Sequence, residues 1–297
     1  MTSETTESPP GNEAGASAAM AGQSNPAATP GGEQIRAESS EPPVLEVRGL
    51  GRRFGSVLAL DDVSVSLRAG EVTCVVGDNG AGKSVFIKML CGLIAPSSGE
   101  ILLDGEATEF SSPRQARSQG IVAVYQDLAL APLMSLWRNF FMGAEPIKGW
   151  GIFQRFDVAY AKQAMQSELE KLGVDLGDPD RAAHTLSGGE RQGLAIARAL
   201  YYGARVLILD EPTSALGVRQ SGAVLRLIRR AAQRGTAVVL VTPKPQHAFW
   251  VGDRFLVFQR GRLVEDRMSE TLTLESLSYL MAGGTEVEEL ESAIATA

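Results

Sequence analysis

The sequence predicts an α/β fold that contains two kinds of β-sheet. Residues 44–47 and 63–67 alternate apolar and polar side chains, as half-buried strands do. Residues 72–76 are apolar throughout, which is typical of a strand buried on both faces of a parallel sheet. Further strands alternate with helices along the chain, and this alternation also indicates a parallel sheet.

The spacing of apolar residues predicts the remaining elements in turn. Helical spacing is present at 85–90, 156–172, 194–200, 218–234 and 274–281. Short aliphatic runs rich in β-branched residues predict strands at 206–209, 237–241 and 255–258. The middle of the chain is therefore expected to be largely helical.

The two ends of the chain differ in composition from the rest. Residues 1–42 hold six glutamates against one arginine, with almost no large apolar side chain. Such a segment cannot bury enough surface to offset its ordering entropy. We expect a disordered acidic tail over 1–42, one domain over 43–284, and a frayed acidic terminus over 285–297.

The overall composition argues against several classes of protein. The net charge of −7 lacks the basic excess that nucleic-acid binding requires. No apolar run approaches the roughly 18 residues of a membrane span, and the start of the chain does not resemble a secretory signal. Cys74 and Cys91 have no thiol at metal-binding spacing, so we expect two core residues in a cytoplasmic protein.

A glycine-rich segment directly after the buried strand matches the P-loop pattern in full. Its backbone N–H groups would surround phosphate oxygens, Lys83 would add a positive charge near the reacting phosphate, and Ser84 would bind magnesium. A structural glycine turn would not require Lys83 and Ser84 together. The predicted nucleotide-binding residues are Gly77, Asp78, Asn79, Gly80, Ala81, Gly82, Lys83 and Ser84.

A second apolar strand, at 206–209, ends in two acidic residues. The carboxyl ends of parallel strands meet at one edge of a sheet, so these carboxylates are expected beside the phosphate loop. Asp210 is predicted to bind Mg²⁺, and Glu211 to polarise or deprotonate the attacking water.

A third motif, LSGGERQ at 186–192, precedes a predicted helix. Ser187 and Glu190 have the spacing of a capping box. Capping does not explain Gly188 and Gly189, because each glycine in a first turn costs about 1 kcal/mol of helix stability. Exposed N–H groups there would suit an anion.

Together these motifs resemble the ATP-binding cassette (ABC) family, the ATPase subunits of transporters, over about 44–284. The resemblance implies a P-loop NTPase fold of ABC type. This fold has a mixed parallel sheet core, an antiparallel β subdomain and an α-helical subdomain at about 127–204. It also implies that ATP is hydrolysed with Mg²⁺, with Lys83 and Glu211 as catalytic residues.

The resemblance assigns further site residues. Ser187, Gly188 and Gly189 would contact the γ-phosphate of ATP bound to a second subunit, in a head-to-tail homodimer or a pair with a second ABC ATPase. Phe54 resembles the aromatic residue that stacks on adenine, although core packing is an equal alternative from the sequence alone. Gln126 resembles the glutamine that reaches the nucleotide and its metal. Val85 stands where a threonine is usual, which removes one phosphate contact.

Three stretches resemble bacterial sugar importers of the ribose, xylose and fructose type: 124–130, 211–218 and 281–284. This branch implies an integral membrane permease, indirectly a sugar-binding protein, and a position at the cytoplasmic face of the cell membrane. In the family, the helical region receives a helix of the permease. Candidates for this socket are Leu133, Met134, Leu136, Trp137, Phe140 and Phe141, about half of which are expected to be plain core.

One residue departs from the family pattern. Pro243 occupies the position of the switch histidine, and proline offers neither a side-chain donor nor a backbone N–H. His247 and Lys244 are candidate substitutes, but His247 is better interpreted as an ordinary surface residue. The alternative to a sugar-import ATPase is therefore a subunit that binds ATP and dimerises but hydrolyses poorly. A third reading, a cassette acting on ribosomes or DNA, lacks the usual second cassette or basic extension.

Overall fold

The computed structural model describes residues 42–284, so the two predicted tails lie outside the described residues except for Pro42. The described part contains twelve strands: β1 (Leu45–Phe54), β2 (Val57–Leu67), β3 (Val72–Gly77), β4 (Ser98–Leu103), β5 (Glu106–Thr108), β6 (Ile121–Val124), β7 (Ile147–Lys148), β8 (Arg155–Phe156), β9 (Val206–Asp210), β10 (Ala237–Val241), β11 (Arg254–Gln259) and β12 (Arg262–Met268). It also contains eight α helices: α1 (Lys83–Leu90), α2 (Pro113–Ser118), α3 (Leu136–Phe141), α4 (Val158–Lys171), α5 (Gly188–Tyr201), α6 (Val218–Gln233), α7 (Pro245–Val251) and α8 (Leu274–Met281).

The strands form two large sheets and one small hairpin. The four-stranded sheet β2-β1-β4-β5 is antiparallel, and the six-stranded sheet has the order β12-β11-β3-β10-β9-β6. In the six-stranded sheet all neighbours are parallel except β11 and β12. The predicted mixed parallel core with a separate antiparallel sheet is confirmed.

The predicted elements are present, but several of their bounds differ. β1 and β2 extend through a hairpin well beyond the predicted 44–47 and 63–67, because alternation is weak near the hairpin turn. Helix α4 begins at Val158 because the Asp157 side chain caps it by accepting a hydrogen bond from the amide of Tyr160. Helix α5 begins at Gly188, six residues before the predicted start, because Ser187 and Glu190 form the predicted capping box.

The central strand β3 separates two hydrophobic cores. Alternate side chains point to opposite faces of a strand. Val72, Cys74 and Val76 pack with the helices on one face, while Val75 packs with α1 and the antiparallel sheet on the other. Both cysteines are free and buried, as expected for core residues. Burial on both faces explains the continuous apolar run that predicted this strand.

Residues 127–204, predicted as a helical subdomain, contain α3, α4, α5 and the hairpin β7–β8. Of the six candidate residues for the permease socket, about half of which are expected to be core, four belong to the core. Leu136, Trp137, Phe140 and Phe141 are at most 5% exposed and belong to the core, whereas Leu133 and Met134 are exposed. Within the described residues no helix is long and apolar enough to cross a membrane.

The loop that presents Leu133 is held by one buried side chain. The Asn139 carboxamide oxygen accepts a hydrogen bond from the Ala131 amide at 2.8 Å. Its nitrogen contacts the carbonyl oxygens of Ala131, Met134 and Ser135, each at 3.1 Å. This one side chain therefore hydrogen-bonds four backbone groups. The three carbonyl oxygens also accept hydrogen bonds from the amides of Met134, Ala183 and Asn139, so the Ala131 amide is the group that depends on the Asn139 side chain.

We expect Asn139→Ala to lower the free energy of unfolding by about 3 kcal/mol, because it removes four hydrogen bonds of a fully buried side chain and leaves the Ala131 amide without this acceptor. Urea denaturation followed by circular dichroism measures this change. Gln166→Ala, at an exposed position of α4, is the control and should change stability by less than about 0.5 kcal/mol. Equal stability of the two variants would contradict this role of Asn139.

Candidate functional site

The P-loop lies at the carboxyl end of β3 and runs into α1. Gly77, Gly80 and Gly82 have φ angles of 131°, 83° and 102°, a region that side-chain-bearing residues rarely adopt. A Cβ atom at Gly77 would lie 2.1 Å from the carbonyl oxygen of Phe258 on β11. Helix α1 has no side-chain cap at its N-terminus, so its first amides face a phosphate-sized space without a competing side chain.

The turn between β11 and β12 is hydrogen-bonded to the P-loop, a contact that the sequence does not predict. The Gly261 amide donates a hydrogen bond to the Ala81 carbonyl at 3.0 Å, and the Gly261 carbonyl accepts one from the Asp61 amide at 2.8 Å. Arg260 and Gly261 also line the cleft beside the P-loop. The only sequence signal was an Arg-Gly turn between two alternating runs, which any hairpin would show.

The Lys83 ammonium lies inside the P-loop. It donates hydrogen bonds to the carbonyl oxygens of Gly77 at 2.8 Å and Asp78 at 2.7 Å. Burial lowers the pKa of Lys83, and this effect is opposed by the negative charges of Asp78, Glu211 and Asp210. Asp210 and Glu211 are therefore close enough to the Lys83 ammonium to affect its pKa.

Asp210 is the last residue of β9, two strands away from β3, and Glu211 follows it. Strand β10 lies between them, so the ends of β3, β10 and β9 together form one edge. Burial raises the pKa of Asp210, while Lys88 and Lys83 oppose this shift. Glu211 has a φ of 49°, and its amide donates to the Val241 carbonyl of β10 at 2.9 Å. This left-handed backbone turns the chain sharply just after the strand.

The end of β10 carries Pro243, which is exposed. The two candidate substitutes for the switch histidine, Lys244 and His247, both have hydrogen-bond partners. The Lys244 ammonium donates to the Thr213 carbonyl at 3.0 Å, and the Thr213 hydroxyl contacts His247 Nδ1 at 2.8 Å. Burial, together with the Lys244 charge, lowers the pKa of His247. His247 is partly exposed and contacts Thr213, so its interpretation as an ordinary surface residue stays a prediction.

One cleft brings together most of the predicted site. It is lined by the P-loop residues Asn79, Gly80, Ala81, Gly82, Lys83, Ser84 and Val85, by Asp210 and Glu211, and by Val57, Leu58, Ala59, Val241, Arg260 and Gly261. Phe54 is the last residue of β1 and pairs with Val57, the first residue of β2, which lines the cleft. Its ring is 42% exposed, and the Arg52 guanidinium lies 4.6 Å from the ring centroid. Core packing is therefore not the role of Phe54.

Gln126 lies at the same sheet edge but does not line this cleft. It follows β6, whose last residue Val124 pairs with Leu209 of β9, and its side chain is exposed. Its neighbour Tyr125 is hydrogen-bonded to Cys91 at the end of α1, and burial raises the pKa of the Tyr125 hydroxyl. The Gln126 segment is thereby attached to the P-loop helix.

The predicted signature residues lie in a separate depression. Ser187, Gly189 and Glu190 line it together with Arg219 and Gln220 of α6, and it shares no residue with the P-loop cleft. A Cβ at Gly188 would lie 2.4 Å from the Leu216 side chain, and one at Gly189 would lie 3.2 Å from Gln220. Both glycines therefore pack closely against Leu216 and Gln220 at the start of α6. This packing favours glycine at both positions without any bound anion.

The residues of the cleft fit a nucleotide and a magnesium ion. A cradle of glycine backbone, an uncapped helix terminus and an ammonium suit phosphate, while Asp210 and Ser84 offer oxygen ligands. Between residues 42 and 284 no cluster of three or more His, Cys, Asp or Glu could hold a metal. A bound Mg²⁺ commonly takes one or two protein oxygens and completes its shell with phosphate oxygens and water.

A family model described as ABC transporter matches residues 60–214, slightly more than half of the chain. The chain belongs to the ABC transporter family. It is an ABC-type ATPase that binds nucleotide, and the resemblance inferred from its motifs is confirmed.

Two relatives match nearly their whole length. A fructose import ATP-binding protein of Rhizobium meliloti is 41% identical over 252 residues, 83% of this chain and 96% of the relative. A xylose/arabinose import ATP-binding protein of Sulfolobus acidocaldarius is 36% identical, over 80% of this chain and 93% of the relative. A ribose import ATP-binding protein of Streptomyces avermitilis is 37% identical over 84% of this chain, which spans 48% of that relative.

Solved structures share the fold. An ATP-binding cassette of an ABC transporter in its ADP conformation has a TM-score of 0.70 at 22% identity, covering 84% of this chain and 98% of that structure. A dimeric cassette in a post-hydrolysis state, bound to ADP and Pi, has a TM-score of 0.63 at 22% identity, covering 77% of this chain and all of that structure. The predicted P-loop NTPase fold of ABC type is confirmed.

Proposed function

We propose that this ABC ATPase couples the binding and hydrolysis of ATP to the import of a sugar through a membrane permease. The observation that carries the proposal is the convergence of Lys83, Asp210 and Glu211 at the ends of β3 and β9, around one cleft. The relatives that match most of their length are ATP-binding proteins of fructose and of xylose/arabinose import. A monosaccharide is therefore the proposed class of solute.

The cleft supports a specific arrangement for ATP. The backbone of 77–85 would surround the phosphates, with Lys83 leaving its carbonyl partners to contact them. Phe54 would stack on the base, since its ring is partly exposed beside the cleft wall. The pairing of Phe54 with Arg52 keeps the ring in place for this contact.

Mg²⁺ would be held by Ser84 and Asp210, with Gln126 from the neighbouring strand end as a third ligand. When bound, the ion neutralises charge on the phosphates of the substrate. Glu211 would accept a proton from the attacking water, because it lies at the sheet edge next to the cleft. The fixed backbone of Glu211 limits the positions that its carboxylate can reach.

The signature residues would act on a second subunit. Ser187 and Gly189 line a depression separate from the P-loop cleft of the same chain, and Gly188 stands between them in the sequence. A head-to-tail dimer, either a homodimer or a pair with a second ABC ATPase, would bring each depression to the facing nucleotide. ATP would then close the dimer and hydrolysis would reopen it.

The permease partner would place the chain at the cytoplasmic face of the membrane. The exposed loop that carries Leu133 and Met134 is the proposed contact, because Asn139 holds it in one conformation. Co-expression with a sugar permease should make the chain sediment with membranes and support sugar uptake that depends on ATP. Full solubility in the presence of the permease would contradict the transport role.

The loop at Pro243 yields a test of the hydrolytic step. We expect Pro243→His to raise the maximal rate of phosphate release about a hundredfold, because it restores a donor at the strand end between the P-loop and Glu211. Pro243→Ala, which removes the proline without adding a donor, is the control and should change the rate little. If the histidine variant hydrolyses no faster than the alanine variant, the missing imidazole does not limit turnover.

A further inference from the structure

The hairpin β7–β8 carries an exposed group of large apolar side chains. Trp150 is 90% exposed and Phe153 79% exposed, and the strand residues Ile147 and Phe156 are 58% and 55% exposed. Large apolar side chains gathered at one exposed place indicate an interaction surface rather than ordinary surface composition. We call Ile147, Trp150, Phe153 and Phe156 the aromatic tip.

Backbone hydrogen bonds order the hairpin. Ile147 pairs with Phe156, and Lys148 pairs with Arg155. The Asp157 amide donates to the Pro146 carbonyl at 2.8 Å, which closes the base of the hairpin, and the Phe153 amide donates to the Trp150 carbonyl at 3.1 Å. Removal of the exposed rings should therefore leave the hairpin and the rest of the fold intact.

The exposures also describe the shape of the surface. A ring that is 79–90% exposed has almost no protein beside it, so Trp150 and Phe153 form a protrusion and not the wall of a groove. A folded partner would need a matching cavity, whereas the headgroup region of a bilayer deforms around a protruding aromatic side chain. Tryptophan in particular is enriched at this level of membranes, because its ring is apolar and its N–H is polar.

The charges of the hairpin point to an anionic surface. Residues 147–156 contain two basic residues and no acidic one, although the whole chain has a net charge of −7. Lys148 and Arg155 stand directly opposite each other, and like charges in this arrangement destabilise a two-stranded sheet. The Asp157 carboxylate forms an ion pair with the Lys148 ammonium at 3.1 Å and so offsets part of this repulsion. The hydrogen bond from Lys148 lowers the pKa of the Asp157 carboxyl. A negatively charged surface would relieve the remaining repulsion.

We propose that the β7–β8 hairpin binds the surface of an anionic lipid bilayer. The aromatic tip enters the headgroup region through Trp150 and Phe153, while Lys148 and Arg155 contact lipid phosphates. The matching family model is that of ABC transporters, and the membrane partner proposed above would bring the chain to a lipid surface. The inference rests on the family and the hairpin, and not on sugar as the transported solute.

Sedimentation of the full chain with vesicles tests the aromatic tip. We expect binding to vesicles of phosphatidylcholine with about one third phosphatidylglycerol, and a loss of affinity of about tenfold or more in Trp150→Ala/Phe153→Ala. Trp250→Ala is the matched control, because Trp250 lies on α7 and is also well exposed. Its vesicle affinity should equal that of the unmodified chain.

Separate measurements test the basic residues of the hairpin and Trp150. Arg155→Gln should lower affinity for the anionic vesicles about fivefold and leave the weaker binding to pure phosphatidylcholine vesicles unchanged. Added salt should weaken binding only to the anionic vesicles. Vesicles should shift tryptophan fluorescence to shorter wavelength, and Trp150→Phe should remove most of the shift while it keeps most of the binding.

Three results would overturn the proposal. The first is no sedimentation of the unmodified chain with anionic vesicles, and the second is equal sedimentation of the Trp150→Ala/Phe153→Ala variant. The third is that the Trp150→Ala/Phe153→Ala variant sediments less than the unmodified chain only with membranes that contain the permease. This result would identify a protein partner. ATP hydrolysis by the same preparations should be unchanged, so failure of lipid binding is distinguished from failure of the ATPase.

Discussion

Glu211→Gln is expected to lower the maximal rate of ATP hydrolysis about a hundredfold or more, while the affinity for ATP stays nearly unchanged. The amide is close to the carboxylate in size, but it cannot accept the proton of an attacking water. The backbone of Glu211 is fixed by its left-handed conformation and by the bond to Val241, so a neighbouring acid cannot readily replace it. Steady-state phosphate release and nucleotide-binding calorimetry measure the two quantities.

Glu106→Gln, at an exposed position of β5 distant in sequence from the motifs, is the control for loss of one negative charge. It should hydrolyse ATP at the normal rate. If the unmodified chain turns over no faster than Glu211→Gln, the catalytic assignment of Glu211 is contradicted. The chain would then be the poorly hydrolysing subunit that Pro243 suggested as the alternative.

Gly77→Ala should lower the free energy of unfolding by about 3 kcal/mol or more and abolish measurable nucleotide binding. The new methyl group would lie 2.1 Å from the Phe258 carbonyl oxygen, which belongs to the neighbouring strand and cannot move alone. Relief requires displacement of β3 from β11, and this would carry the P-loop away from the acidic pair. Chemical denaturation and calorimetry with Mg-ATP report the two effects.

Gly80→Ala separates the steric clash from backbone strain. Both glycines have a positive φ, but a Cβ at Gly80 meets no atom within 4 Å. This variant should lose only about 1–2 kcal/mol of stability from strain. If Gly77→Ala and Gly80→Ala are equally stable, contact with Phe258 does not determine the requirement for glycine at 77.

The sequence predicted the elements whose signals are local. The strands β3 and β10 and the helices α6 and α8 were found with bounds within a residue or two, because each has an apolar period that one sheet face or helix face produces. Short elements such as β5, β7 and α7 were missed, since they have three, two and seven residues and none of them is a continuous apolar run. The aromatic tip was missed for the related reason that exposed apolar residues break the expected pattern.

The site residues that the sequence predicted are those that lie close together along the chain. The P-loop, the Asp210–Glu211 pair and the Ser187–Glu190 capping box are contiguous or nearly so, and the structure places each at the start of a helix or the end of a strand. The contacts of His247 with Thr213 and of Gly261 with Ala81 join residues 34 and 180 positions apart along the chain. No local spacing specifies such contacts.

The amino-acid sequence alone determined the family, the α/β class and the phosphate-binding chemistry, because these depend on backbone conformations and side chains within short segments. Only the tertiary structure decided that β10 separates β3 from β9, that Gln126 and the signature residues lie outside the P-loop cleft, and that four predicted socket residues are core. Strand order and burial follow from the simultaneous packing of the whole chain, so segments distant in sequence determine them together.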